Sequence, residues 1–267
     1  MNRIDSKFRA LRAARQKGFV AYICAGDPNL KATVALAREF EQAGVDVLEL
    51  GVPFSDPLAD GVVNQLAAER ALRSGTTLTS VLKAVSTLRK QNCRVPIVLY
   101  IYFNLIHRHG VKQFARDAAA AGVDGVLALD LPPEEAGGYD RLMRDAGVHP
   151  IHLIAPTTPE ARIAKIVRHA SGFIYYVSLE GVTGMQKTMS TSIAPMVRMI
   201  RKHTRLPIGV GFGISTPRQA RAVAQTADAV VVGSAIVNQI ARLGKDKRLA
   251  PKVARFVAPM VRSVKPV

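Results

Sequence analysis

The feature that most constrains this chain is an alternation repeated eight times. A short run rich in β-branched residues is followed by a longer amphipathic stretch, with no low-complexity or Pro/Gly/Ser-rich linker anywhere. The runs are Phe19–Ala25, Val45–Gly51, Pro96–Tyr102, Gly125–Asp130, Ile151–Ala155, Phe173–Ser178, Pro207–Gly211 and Ala229–Gly233. Helices are predicted between them, for example at Thr33–Ala43, Val111–Ala121, Glu134–Ala146, Ala161–His169 and Arg218–Ala224, and Gly44, Gly122 and Gly147 follow three of these as C-terminal caps. Several runs are apolar almost throughout, as strands buried on both faces require; Ile97, Val98, Leu99, Tyr100 and Ile101 are consecutive. Eight β-then-α units in 267 residues is the arithmetic of a single-domain (β/α)8 TIM barrel covering 1–267, with a doubly wound open sheet as the alternative. Helical segments at Gln65–Arg73 and Leu78–Lys90 predict an extra helix after strand 2. A C-terminal helix over Leu249–Val261 would close the barrel bottom or flank it.

Composition narrows the class. The formal charge is +17, from 37 basic and 20 acidic residues, and 48% of the chain is hydrophobic, which excludes disorder. Cys24 and Cys93 stand far apart with no metal-like spacing, so neither a disulfide scaffold nor a thiolate metal site is expected. The N-terminal residues scatter basic side chains where a signal peptide needs an apolar block, and the longest apolar stretch, Val95–Phe103, is far short of the roughly 20 residues of a membrane helix. These features predict a soluble cytoplasmic protein with no membrane partner.

The charge is concentrated in one half. Residues 1–133 hold 17 basic and 12 acidic side chains, whereas 134–267 hold 20 and 8, and no acid occurs between Gly181 and Ala227. Within Ile193–Arg205 the apolar Ile193, Met196, Val197 and Ile200 recur at helical spacing, with Arg198, Arg201, Lys202 and Arg205 on the opposite side. This is a packed helix with a solvated basic face. No aromatic residues interleave the charges and no zinc-finger, RNP or basic-zipper pattern occurs, so nucleic acid is not the expected partner; anion steering is the favoured use of the charge.

Barrel chemistry sits at the C-terminal ends of strands. In the second run, period-two alternation puts Val47 and Glu49 on one face and Leu48 and Leu50 on the other, so Glu49 is an acid in an apolar interior. Burial raises such a carboxyl toward neutrality and suits it to general acid/base work, although a structural carboxylate has the same pattern. Asp27, Asp60 and Asp130 also lie at strand ends, where caps and turns commonly use Asp. The seventh run leads into Gly211–Pro217 with Ser215 or Thr216 as a cap, and the eighth into Gly233, Ser234 and Ala235. Glycines that admit backbone N–H groups to an anion, at helix N-termini after strands seven and eight, predict a phosphate site. The loop Leu179–Lys187 is expected to act as a lid. His149 and His152 are three apart in a strand and face opposite ways, His107 and His109 lack ligand spacing, and no G-x-S-x-G elbow occurs. Acid–base chemistry remains.

Six segments in order, Leu48–Gly61 (LELGVPFSDPLADG), Leu129–Glu135 (LDLPPEE), Ile154–Pro159 (IAPTTP), Phe173–Gly184 (FIYYVSLEGVTG), Gly211–Ser215 (GFGIS) and Gly233–Val237 (GSAIV), resemble the tryptophan synthase alpha family over essentially the whole chain. The resemblance implies retro-aldol cleavage of indole-3-glycerol phosphate to indole and glyceraldehyde 3-phosphate. Glu49 matches the general acid/base, and Asp60 the carboxylate that hydrogen-bonds the indole N–H. Gly184, Gly213, Gly233 and Ser234 match phosphate-binding positions. Tyr22, Tyr100, Leu127, Tyr175, Thr183 and Phe212 match the indole pocket and lid. The resemblance further implies no cofactor on this chain and a pyridoxal-phosphate beta subunit as partner in an alpha2beta2 assembly, with Pro53, Phe54, Asp56, Asn104 and Pro132 on the matching contact surface. Departures occur at Val62, where the family usually has Pro, at Asn64 beside it, and at Leu179 and Glu180 in the lid. A stand-alone indole-releasing lyase, a related phosphosugar-barrel isomerase and a non-catalytic protein using the basic surface remain as alternatives.

Overall fold

The computed structural model describes residues 1–178, 186–211 and 213–265, with side chains except at 186–192. Eight parallel strands close into a barrel in sequence order: β1 Gly18–Cys24, β2 Val47–Gly51, β3 Ile97–Ile101, β4 Gly125–Ala128, β5 His149–Ile154, β6 Ile174–Val177, β7 Ile208–Gly211 and β8 Ala229–Val232. β8 pairs back onto β1, with Phe19 opposite Val230, so no open sheet edge remains. The expected barrel is found and the open sheet is excluded.

Around the barrel run α1 Arg3–Ala13, α2 Leu30–Gln42, α3 Val62–Arg73, α4 Leu78–Lys90, α5 Phe103–His109, α6 Val111–Ala121, α7 Gly137–Asp145, α8 Glu160–His169, α9 Gln186–His203, α10 Pro217–Ala224, α11 Ser234–Leu243 and α12 Leu249–Val264. The extra helix after β2 is present, as α3 before α4. Local chemistry sets the ends: Asn29 caps α2, Thr77 and Ser80 form a capping box on α4, and Thr216 and Gln219 form one on α10, with Pro217 in its first turn. Gly44, Gly122 and Gly147 take positive φ after α2, α6 and α7 as expected.

The inside of the barrel is a packed core of Val20, Val47, Val98, Leu127, Ile151, Phe173 and Val231, while Leu48, Leu50, Ile97 and Leu99 point outward under the helices. Each large side chain fully buried there contributes roughly 1.5–3 kcal/mol. The barrel bottom is closed by α1, whose Ile4, Phe8 and Leu11 join the inner cluster. α12 lies on the flank against α2, α10 and α11. Of the two placements open to the C-terminal helix, the flank is correct, because an N-terminal plug already fills the base. α9 buries Ile193, Val197 and Ile200 and exposes Arg198, Arg201 and Lys202, as its pattern required, but ends at His203, before Arg205.

Three carboxylates stitch neighbouring strands together at their N-terminal ends. Asp46, Asp124 and Asp228 each immediately precede a strand, β2, β4 and β8, and each accepts a backbone N–H from the preceding strand: Phe19 N at 2.9 Å, Ile97 N at 2.8 Å and Ile208 N at 2.9 Å. Cations close the sites. Lys265 lies 3.2 Å and Lys7 3.6 Å from Asp46; Arg3 and Arg89 lie 3.0 and 2.7 Å from Asp124; Arg201 lies 2.8 Å from Asp228. Asp124 is 2% exposed, so its removal leaves the Ile97 N–H without its acceptor and the Arg89 charge without its carboxylate, held then only by the carbonyls of Gly122, Cys93 and Val95. Asp124→Ala is expected to lower the unfolding free energy by about 3–5 kcal/mol in urea titration, and Asp228→Ala, at a more exposed site, by clearly less. Equal small losses of under about 1 kcal/mol would show that the stitches are not structural anchors.

Candidate active site

A cavity of about 550 Å³ opens at the C-terminal end of the barrel. It gathers Tyr22, Glu49, Asp60, Tyr100, Tyr175, Gly213, Gly233 and Ser234 from segments up to 212 residues apart in the chain. Glu49 stands on β2 facing inward, beside Tyr22 of β1 and Val98 of β3 in the strand register. It is 1% exposed, and its Oε1 has no hydrogen-bond partner. Burial first, and the negative charge of Asp60 second, push its pKa up to about 8. At neutral pH this carboxyl is a proton donor.

Asp60 has a different environment. Tyr100 Oη donates to Oδ1 and Tyr102 Oη to Oδ2, both at 2.9 Å, and Asn64 Nδ2 lies 3.4 Å from Oδ1. Tyr102 Oη also accepts the Ala59 N–H at 2.9 Å, so the phenol orients both the loop and its carboxylate. Burial, reinforced by Asp60, holds the Tyr100 and Tyr102 hydroxyls in their neutral, donating form by raising their pKa values. The helix after this loop, α3, is pinned near its far end by Arg70, which reaches Asp27 with two hydrogen bonds of 2.8 and 2.7 Å. Asp27 therefore anchors α3, while Asp130 accepts the Phe103 N–H at 2.6 Å and orients α5.

Two glycines make room for the phenols. A methyl group at Gly51 would come 2.5 Å from Tyr22 Oη, and one at Gly211 would come 2.8 Å from Tyr175 Oη and 2.9 Å from Val231 Cβ. Tyr22 and Tyr100 meet edge to face at 5.0 Å between centroids. At the far end, Gly213 has φ +66°, and Gly233 and Ser234 open α11 at its N-terminus. Backbone N–H groups at this end are suited to an anion.

The two acids, Tyr22, Tyr100, Tyr175, Gly213, Gly233 and Ser234 are thus brought to one cavity. Leu127 lies below it in the inner core, while Leu129 and Leu153, two residues beyond Leu127 and Ile151 on the same strand faces, line the wall. The same alternation that singled out Glu49 could have found both. Asn64, which also lines the cavity, and Tyr102, with its bonds to Asp60 and Ala59, carried no such signal in sequence. Thr183, Gly184 and Phe212, with the departures Leu179 and Glu180, fall outside the described residues. Pro53, Phe54, Asp56, Asn104 and Pro132 lie on the segments that follow β2, β3 and β4, with the Phe54 ring 5.1 Å from that of Tyr102. His149 and His152 bond to different partners, Asp5 and Ser171 against Asp140, and among the described residues no cluster of His, Cys, Asp and Glu has the geometry to hold a metal ion.

Comparison with known proteins agrees with this geometry along the chain. Residues 8–264 match the family model described as tryptophan synthase alpha chain. The tryptophan synthase alpha chain of Opitutus terrae is 50% identical over 266 residues, covering 99% of this chain and 100% of that protein, and that of Geobacter sulfurreducens is 49% identical over 260 residues, covering 97% and 98%. The crystal structure of tryptophan synthase subunit alpha from Legionella pneumophila superposes with a TM-score of 0.91 at 40% identity, covering 99% of this chain and 98% of that one. A chain of Mycobacterium tuberculosis tryptophan synthase gives 0.90 at 32% identity and full coverage of both. The chain belongs to the tryptophan synthase alpha chain family.

Proposed function

We propose that this chain, acting as one catalytic domain, performs its family's lyase reaction with Glu49 as proton carrier and Asp60 as electrostatic partner. The reaction cleaves indole-3-glycerol phosphate to indole and glyceraldehyde 3-phosphate in tryptophan biosynthesis. The observation that carries the assignment is the pair of carboxyls in unlike settings within one cavity: Glu49 buried, unpartnered and protonated at neutral pH, and Asp60 held by two phenol donors.

Neutral indole carbon is a poor leaving group, so C3 must be protonated before the bond to the glycerol chain breaks. The Glu49 carboxyl gives its proton to C3, which leaves positive charge on the ring, with the N–H directed to the Asp60 carboxylate. The Glu49 carboxylate then takes the proton of the adjacent glycerol hydroxyl. As the C–C bond breaks, its electron pair returns to the ring, the C–O bond becomes the aldehyde, and Glu49 regains its starting proton. The low-dielectric wall of Tyr22, Tyr175 and Leu153 strengthens the attraction between Asp60 and the ring cation. Gly213, Gly233, Ser234 and the N-terminus of α11 are assigned to the phosphate; the family resemblance alone adds Gly184 to that set, and Thr183 and Phe212 to the contacts with the ring. Anchoring the phosphate converts binding energy into orientation at C3.

The partner is a tryptophan synthase beta subunit, which receives the indole. Its docking surface is assigned to Pro53, Phe54, Asp56, Asn104 and Pro132, which border the open end of the barrel. An alpha2beta2 assembly in the cytoplasm is the setting. Two free, buried cysteines support it, and among the described residues no helix is long and apolar enough to cross a membrane.

Purified protein is expected to release indole from the substrate, faster with a beta subunit added than without. Glu49→Gln should lower kcat by roughly 10²- to 10⁴-fold while phosphate binding persists; full activity would remove Glu49 from the mechanism. Because the acid form starts the reaction, kcat/KM of the wild type should fall as pH rises through about 8. The same group makes stability pH-dependent. The folded state keeps a proton that the unfolded chain releases, so Glu49 costs increasing stability from about pH 4.5 up to about 8 and a constant amount above. The thermal stability of Glu49→Gln relative to wild type should therefore rise across that window. A pH-independent difference would contradict the raised pKa.

A further inference from the structure

A second cavity, of about 260 Å³, lies at the opposite end of the barrel from Glu49 and Asp60, between the end of α1 and the N-terminal ends of β7 and β8. Its apolar lining is Phe8, Leu11 and Pro207, with the Phe8 ring set 5.7 Å from that of Phe173. Arg12, Arg15 and Lys17 line it too, and none of them takes part in an ion pair or a side-chain hydrogen bond among the described residues. The acid in the wall, Asp228, is already held by Arg201 at 2.8 Å and by the Ile208 N–H at 2.9 Å. Apolar surface and unpaired positive charge thus meet in one concave site.

The backbone at Arg15 adds an independent observation. α1 ends in a turn in which the Gln16 N–H returns to the Leu11 carbonyl at 2.8 Å, and the residue before that N–H takes positive φ. The same turn ends α2, α3, α4, α6 and α7, with Gly44, Gly75, Asn92, Gly122 and Gly147 in that position, residue types for which the left-handed conformation costs little. At the end of α1 the position is filled by Arg15, at φ +53°. The helix dipole favours a cation here, but Arg12 in the relaxed last turn already supplies one. The cap therefore gives no reason for a long cationic side chain at the strained position, whereas the cavity beside it does.

We propose that this cavity is a binding site for an aromatic carboxylate, with Arg15, Lys17 and Arg12 around the carboxylate and the ring against Phe8, Leu11 and Pro207. A guanidinium pairs with both oxygens of a carboxylate, and the apolar lining gains by covering a ring. The charge on Asp228 favours a monoanion over a phosphate dianion.

The test titrates 1-naphthoate into the whole chain by calorimetry, with saturating indole-3-propyl phosphate present to fill the cavity at the other rim. It is repeated with Arg15→Gly, with Lys17→Ala, and with inorganic phosphate in place of naphthoate. Wild type should bind one naphthoate, more tightly than phosphate, and each variant should weaken naphthoate about three- to ten-fold. Neutral 1-naphthamide should not bind. Arg15→Gly should in addition raise the thermal midpoint of the unliganded protein, because glycine relaxes the turn. The proposal is overturned if wild type binds no naphthoate, if both variants bind it as tightly as wild type, or if the amide or phosphate binds equally well. A lowered midpoint in Arg15→Gly overturns it too, since the side chain would then serve the fold.

Discussion

Closure of the sheet governs the rest of the molecule. Once β8 pairs with β1, every strand has both neighbours, both faces are covered, and side chains can reach solvent only at the two rims. Each rim is then finished differently. At the N-terminal rim α1 drives Ile4, Phe8 and Leu11 into the barrel, and Asp46, Asp124 and Asp228 are surrounded by donors. At the C-terminal rim Glu49 is left inside the wall with no partner at Oε1. The three saturated carboxylates of the N-terminal rim tie strands together, whereas Glu49 at the other rim is free to take part in the proposed chemistry.

The contrast between Glu49 and Asp60 follows from where each is mounted. A strand residue facing the barrel interior cannot choose its surroundings, and the apolar side chains around Glu49 give it no means to hold a charge cheaply. Asp60 lies on a loop, where it can be met by side chains from another strand, and β3 with the turn after it supplies two phenols. The loop that carries Asp60 is therefore oriented largely by its neighbour β3, and by the Arg70–Asp27 pair that fixes α3 against the loop after β1.

Much of this was legible in the chain. The eight strands and most helices followed from periodicity, since a strand buried on both faces and a helix buried on one leave unlike patterns. Glu49 stood out because a lone acid in such a strand has no solvent to face. Some features were hidden for identifiable reasons. The apolar spacing of Ile4, Phe8 and Leu11 is present in α1, but it is submerged among basic residues. α5 buries only Ile106, too little for a period to show. The strand stitches join residues 20 to 27 positions apart through a main-chain donor that has no signature in sequence. Asn64 in a helix's first turn looks like any solvated polar residue until the fold turns it toward Asp60. The family resemblance covered the acids, the phosphate loops and most of the pocket, but it could not foretell what a departure at Asn64 would face.

The stitches also divide the barrel into units. Asp46 binds β1 to β2, Asp124 binds β3 to β4, and Asp228 binds β7 to β8, so the strands are tied in adjacent pairs rather than evenly around the ring. A chain divided between β2 and β3, or between β4 and β5, keeps each of the three Asp-to-backbone bonds within one fragment, although either cut parts Asp46 from Lys265. A chain divided between β3 and β4 parts Asp124 from Ile97. This pairing of strands is set at the N-terminal rim, away from the rim that carries Glu49 and Asp60.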